Sequence, residues 1–380
     1  FWGHRVNRSS GVATAVVAVA ALAASAATAS SSVSVSTISR RTAPSSFSAP
    51  LAAPSATQFV SLATPLHLEF TKHGVLYVSQ YSVHVITKFI PPTTAIVTRF
   101  GLFVTSGDAT GRPADCRFND PRTLHVDESS GFVYLVDRTN DKIRLIAPDG
   151  FVTTLQSAVG SVYGIAVAAD GSVYWASSTQ HVLLAHQAAP SAPTASPTAP
   201  TLAAPTWVAG SGAAGSADGT RAVATFTGVL GASYDVFASD VVVCEVSGHR
   251  VRRISELGRV NTWVGSGASA STPGIRLGAD VNRPIFTVAD SGGTAYLSEH
   301  SGCAVSVISA AGSVSLLAGN GACAHSPGTG PTAGFNAPIG IALRGTTLFV
   351  SDKDNYRIRT LDTASSAVGT HVGDGNKGLI

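Results

Sequence analysis

Two pairs in the chain carry the side chains that proton transfer or metal binding needs. Glu245 is followed by His249, and Glu299 by His300. A carboxylate near an imidazole is the minimum equipment for general acid–base work, and both types ligate metals. Asp137–Arg138 and Asp352–Lys353 offer a different chemistry, a carboxylate beside a cation. These eight residues are the candidate binding set. None is a candidate for catalysis, because the eleven His are scattered and fall in no shared position. No Cys-x-x-Cys, Cys/His ligand spacing, G-x-S-x-G or H-E-x-x-H occurs, so no metal site is expected. The ordinary role of such an acid is to bond its own turn.

Two further motifs are decoys. GSGAAG (210–215) and GDGNKG (373–378) satisfy G-x-G-x-x-G. A dinucleotide site needs a helix after the glycines to hold the pyrophosphate, and SADGTRAVATF leads into a strand instead. No cofactor is expected.

The elements that must position the candidate residues are legible as a repeat. FNDPRTLHVD (118–127), VNRPIFTVAD (281–290) and FNAPIGIALR (335–344) share one register. Each leads into an alternating run that closes on an acid: FVYLVD (132–137), TAYLSE (294–299) and TLFVSD (347–352). Looser copies place Gln80, Ser177 and Glu245 in the same closing slot. A tight loop, with Asn140 or Asn355 as a turn residue, then opens a third run, KIRLI or RIRTL. A fourth run follows a glycine turn. Six copies of four period-2 strands predict an all-β, six-bladed β-propeller over residues 58–380. The Pro/Ala/Thr stretch 187–206 reads as a disordered insertion in blade 3. Six full blades permit simple closure of the ring, and a missing seventh stays open.

FNAPIGIALRGTTLFVSDKDNYRIRTL (335–361), and nearly as well 118–146, resemble the blades of NHL-repeat propellers. The resemblance covers about 58–380, strongly in two blades. It implies a six-bladed ring whose relatives include extracellular enzymes, RNA-binding modules and receptor-like proteins. Fold alone selects none of these.

In a propeller the loops between strands two and three share a face with the blade-to-blade linkers. Cys303 follows the slot of blade 5 and Cys323 lies in the linker leaving it, so a Cys303–Cys323 disulfide is expected in an exported chain. Cys116 and Cys244 lie two blades apart and are read as buried thiols. Arg144, Arg252 and Arg359 recur on strand three. They are read as packing between blades and pairing with a nearby carboxylate, not as an RNA-contacting stripe.

Composition bounds the partners. Only 12% of residues are charged and the formal net charge is +3, which gives no argument for nucleic acid. The chain begins with Phe and has no Met, so it reads as a fragment whose ends are provisional. Arg5 and Arg8 precede the apolar run 11–27, with small-residue sites at 24–26 and 27–29. Residues 1–29 read as a signal peptide or a signal anchor, either of which exports the rest, with a disordered Ala/Ser-rich tail as the remaining alternative. Residues 30–57, rich in Ser, Thr, Ala and Pro, read as a linker. The expected function is a non-enzymatic secreted or cell-surface propeller, monomeric, binding a protein, peptide or glycan through the face of the two–three loops. The alternatives are an extracellular metal-dependent lyase or hydrolase and an RNA-binding module.

Overall fold

The computed structural model describes residues 61–90, 96–186 and 205–378. The leader, the linker and residues 187–204 of the insertion lie outside them. Thr206 opens the strand Thr206–Ala209, so the insertion ends before it. No helix of the described residues is long and apolar enough to cross a membrane.

The fold is a six-bladed β-propeller. Each blade is an antiparallel sheet built from one continuous stretch of chain, with strands in sequence order from the axis outward. The inner strands are Pro65–Phe70, Pro121–Val126, Val162–Val167, Val229–Asp235, Pro284–Ala289 and Pro338–Arg344. Blades 5 and 6 gain a fifth, two-residue strand from the linkers before them. The core lies between the sheets, where apolar faces of neighbouring blades meet in separate clusters. The ring closes on itself: Ser351 Oγ of blade 6 donates to the Leu66 carbonyl of blade 1 at 2.6 Å. Gly378 N–H reaches the Leu62 carbonyl at 3.4 Å.

One backbone device recurs at every blade. The residue before each inner strand is left-handed, with φ between 47° and 64°: Thr64, Asp120, Ser161, Gly228, Arg283 and Ala337. This conformation is costly for a side chain other than Gly, Asn or Asp, so something must hold it. The closing-slot side chain does so. Gln80, Asp137, Glu245, Glu299 and Asp352 accept the amide of the preceding residue, at 2.7–2.9 Å. In blade 3, Ser177 instead donates to the Gly160 carbonyl at 2.6 Å.

The slot residue is also paired with the residue seven positions on, across the two–three ladder. Even blades use carboxylate with arginine: Asp137–Arg144, Glu245–Arg252 and Asp352–Arg359, each at 3.0 Å with both side chains fully buried. Each guanidinium lies over a buried Phe that opens the motif, Phe118, Phe226 or Phe335. Each also donates to carbonyls of the linker before its blade, as Arg252 does to Ala217 at 2.9 Å. Odd blades use smaller sets. Gln80 donates to Thr87 at 2.6 Å and Ser306 bonds Glu299, while in blade 3 the residue seven on from Ser177 is Leu184, which offers no polar partner. The three arginines are therefore internal struts.

Close approach of the inner strands requires glycine at their third position in blades 3, 4 and 6. A Cβ on Gly231 would sit 1.6 Å from the Ile285 carbonyl oxygen, and one on Gly340 2.7 Å from the Leu66 oxygen. Blades 1 and 5 carry His67 and Phe286 there instead. Both amides are satisfied by a strand-two serine, Ser79 at 3.0 Å and Ser298 at 3.2 Å, because a bulge in the ladder frees them.

Candidate ligand-binding sites of the central channel

The candidate set from the sequence divides in two. Asp137, Glu245, Glu299 and Asp352 are fully buried and committed to the amides described above. These four carboxylates of the candidate binding set therefore serve the interior of their own blades. In five of the six blades the slot residue and the residue seven on form a polar pair. Burial holds Glu299 above the usual carboxylate range, opposed by the Asn282 amide and the hydroxyls of Ser271 and Ser306. Asn140 and Asn355 donate to the slot carboxylates of their own turns at 2.8 Å. They support the turns, while the left-handed residue of each is its successor, Asp141 or Tyr356.

Those successors reveal a shared histidine position that the scattered sequence numbers hide. The left-handed residue before strand three is His84, Asp141, His181, His249, Cys303 or Tyr356. His84 Nδ1 accepts the Asp120 amide at 3.1 Å, and His249 Nδ1 accepts the Arg283 amide at 3.2 Å. Asp141 Oδ1 accepts the Gly160 amide at 2.8 Å. Each reaches the blade that follows. His249 is thus a staple between blades 4 and 5, not a partner for Glu245.

Cys303 and Cys323 are bonded, with Cα atoms 5.1 Å apart, and Cys116 and Cys244 are free and buried. Burial pushes the Cys116 thiol up to about 11.

Arg138, His300 and Lys353, half-buried, gather at the channel mouth on the two–three loop face. The second residues of all six inner strands, Leu66, Arg122, Tyr163, Leu230, Ile285 and Ile339, ring a cavity of about 180 Å³. Arg283, His300, Lys353 and Tyr81 stand at its rim. Arg122 pairs with Asp120 at 2.7 Å and lies over Tyr81 and Tyr163 at 4.7 and 5.2 Å. Arg138 shares Asp120 at 3.1 Å and covers Tyr163 at 4.5 Å. Lys353 pairs with Asp354 at 3.1 Å. Arg283 is exposed and makes no ion pair among the described residues. Four cations thus face two carboxylates. Burial holds the His300 imidazole below its usual range, and Lys353 and Arg283 act the same way.

The opposite mouth is wider, about 580 Å³, and sequence reasoning did not single out its polar groups. Glu69, from the fifth position of the first inner strand, reaches across to blade 2. Its Oε2 accepts the Val126 amide at 2.9 Å, and its Oε1 lies 3.3 Å from His125 Nδ1. Both side chains are about a quarter exposed, at 24% and 27%, and both line this mouth. Burial pushes the Glu69 carboxyl up to about 8, the Val126 amide opposing and Glu128 adding to the rise. Burial lowers His125 to about 4 and His67 to about 3. Glu69 therefore holds its proton at pH 7 while both imidazoles are neutral. His67 is 8% exposed, and its Nδ1 has no partner. Among the described residues no three His, Cys, Asp or Glu are grouped to hold a metal ion.

No family model matches the chain, and no curated protein matches it. Solved structures do. An auxiliary nutrient binding protein from Bacteroides thetaiotaomicron has a TM-score of 0.59 at 15% identity, over 82% of this chain and 70% of that one. A catalytically inactive virginiamycin B lyase from Staphylococcus aureus with quinupristin gives 0.54 at 14%, over 84% and 89%. A nidogen/laminin complex gives 0.54 at 11%, over 78% and 92%. The likeness at these identities is one of fold: the chain is a β-propeller, built like propellers that bind and propellers that catalyse.

Proposed function

We propose that the chain is an exported, NHL-type propeller that binds an acidic segment of a protein partner at the narrow channel mouth, without chemistry. The observation that carries this reading is the excess of cations there. Among the described residues Arg283 makes no ion pair, and it stands with Lys353 and His300, while Arg122 and Arg138 share one carboxylate. A partner carboxylate would find a bidentate-capable guanidinium beside two tyrosine rings. The opening is the size of a side chain, which suits a protruding Asp or Glu. Export is supported by the Cys303–Cys323 bond, which an oxidising compartment preserves. The blade motif supports the NHL assignment.

The RNA-binding alternative loses its main support, since Arg144, Arg252 and Arg359 are fully buried. The enzymatic alternative draws its support from Glu69 and His125 in the wide mouth, a pair suited to acid–base chemistry.

Fluorescence anisotropy with a labelled octaglutamate peptide tests the binding reading. Saturable binding that weakens with salt, is absent for octalysine, and falls at least tenfold in the R283E/K353E variant supports it. Equal binding of both peptides, or octaglutamate binding indifferent to the double variant, overturns it.

A further inference from the structure

The wide mouth lies on the face away from the cationic rim and is of another character. Its volume of about 580 Å³ is within the range of small-molecule sites, roughly 300–1,000 Å³. Its wall is largely apolar, with Phe70, Leu124, Tyr234 and Phe286 prominent. Polar groups line both sides: Glu69, His125 and His67 from blades 1 and 2, and Ser233, Tyr234, Thr287 and Asp290 from blades 4 and 5, where Ser233 and Thr287 bond each other. The Glu69 carboxyl is fixed between the Val126 amide and His125 Nδ1, which leaves His125 Nε2 without a hydrogen bond among the described residues. The His67 ring is held edge-on to Phe286 at 4.6 Å, and its buried Nδ1 is unpartnered. Buried polar atoms are almost always satisfied, and this one, in the wall of a cavity, is open to a partner from the cavity.

We propose that this mouth binds an uncharged small molecule with a flat apolar body and an amide or carbonyl head group. The body lies against Phe286 and Tyr234, and the head group meets His125, Glu69 and His67. Neutrality is set by the surroundings. The carboxyl and both imidazoles carry no charge at pH 7. The carboxylates nearby accept hydrogen bonds and keep their charge: Glu128 accepts the Lys72 amide, Asp127 the hydroxyls of Ser129 and Ser130, and Asp290 the amides of Gly292 and Thr294. An anionic head group would lose its water and find no cation in the lining.

Calorimetry on the whole chain with 2-naphthamide and its like-shaped anion 2-naphthoate tests this. At pH 7 the amide is expected to bind at least tenfold tighter than the anion. Its affinity falls as pH rises through about 8, where Glu69 ionises. The E69Q variant, which keeps a donor without an ionisable proton, retains binding and loses that step. E69L weakens binding tenfold while the melting curve reports the fold. The pH series on the unaltered protein needs no variant. Naphthoate binding as well as naphthamide, no saturable naphthamide binding by the folded protein, or a flat profile from pH 6 to 9 overturns the proposal. Neither probe carries the acidic segment of the narrow mouth, so this result and the octaglutamate result stand or fall separately.

Discussion

His67 and Phe286, from the inner strands of blades 1 and 5, meet edge to face with ring centroids 4.6 Å apart, reaching past blade 6 to do so. They stand where blades 3, 4 and 6 have glycine. Phe286 lines both cavities, so this contact is the partition between the narrow and the wide mouth. Replacing Phe286 by Ala removes a buried ring with no neighbour able to fill its place. A loss of about 3 kcal/mol is expected in urea unfolding, the usual cost for such a truncation. A loss under about 1 kcal/mol would mean the ring is not packed as described.

The slot pairs predict strong coupling. D352A leaves Arg359 buried without its carboxylate, which costs about 3–5 kcal/mol. The D137Q/R144T double variant transplants the Gln80–Thr87 pair of blade 1 into blade 2. It is expected to lose less stability than R144T alone, because no carboxylate is stranded. Additive losses in the cycle would count against a paired latch.

Glycine tolerance should follow the inner strands. G231A places a methyl inside the Ile285 carbonyl and is expected to cost about 3 kcal/mol or to prevent folding. G278A, with nothing within 4 Å of the added Cβ, is expected to change thermal stability little. Comparable melting temperatures for the two would contradict the close approach.

Thiol chemistry separates the four cysteines. C303S/C323S opens a loop with a sequence separation of 20 residues and should cost about 3 kcal/mol. Cys116 and Cys244 are buried, and burial raises both thiols. Ellman's reagent should therefore label neither in the folded protein and both after denaturation. Prompt labelling of the native state would place at least one thiol at the surface.

The channel titrations give stability a pH signature. Glu69 has a folded value near 8, above its unfolded value of 4.5, so its contribution is full below 4.5 and is lost as pH rises to 8. His125 and His67 are depressed to about 4 and 3, so theirs is full above 6.5 and is lost as pH falls toward those values. E69Q should therefore gain on the parent chain between pH 5 and 8 in denaturant midpoint. A constant difference across that range would mean Glu69 titrates normally.

Blade number and order are legible in the sequence because alternation and glycine turns repeat six times with the slot in one register. The pairing inside the slot was half visible, since Arg144, Arg252 and Arg359 recur seven residues on. The odd blades conceal it, because Gln–Thr and Glu–Ser pairs do not look like charge pairs. His84, His181 and His249 share a position only once the slot is counted from, four residues along. Glu69 and His125 give no signal at all. They lie in inner strands where a polar residue reads as solvent-facing, and the ring alone brings blades 1 and 2 together around the axis.

Each blade is woven from its own stretch of chain, and the ring shuts through the Ser351 hydroxyl and the Leu66 carbonyl with no shared strand. Residues 61 and 378 consequently lie side by side, and the chain's numbering has no structural seam. A circular permutant joined there by a short linker and reopened between blades 2 and 3, at the exposed Ser157–Ala158 bond, should assemble the same ring. The order in which blades are made is then interchangeable, while their neighbours around the axis are not.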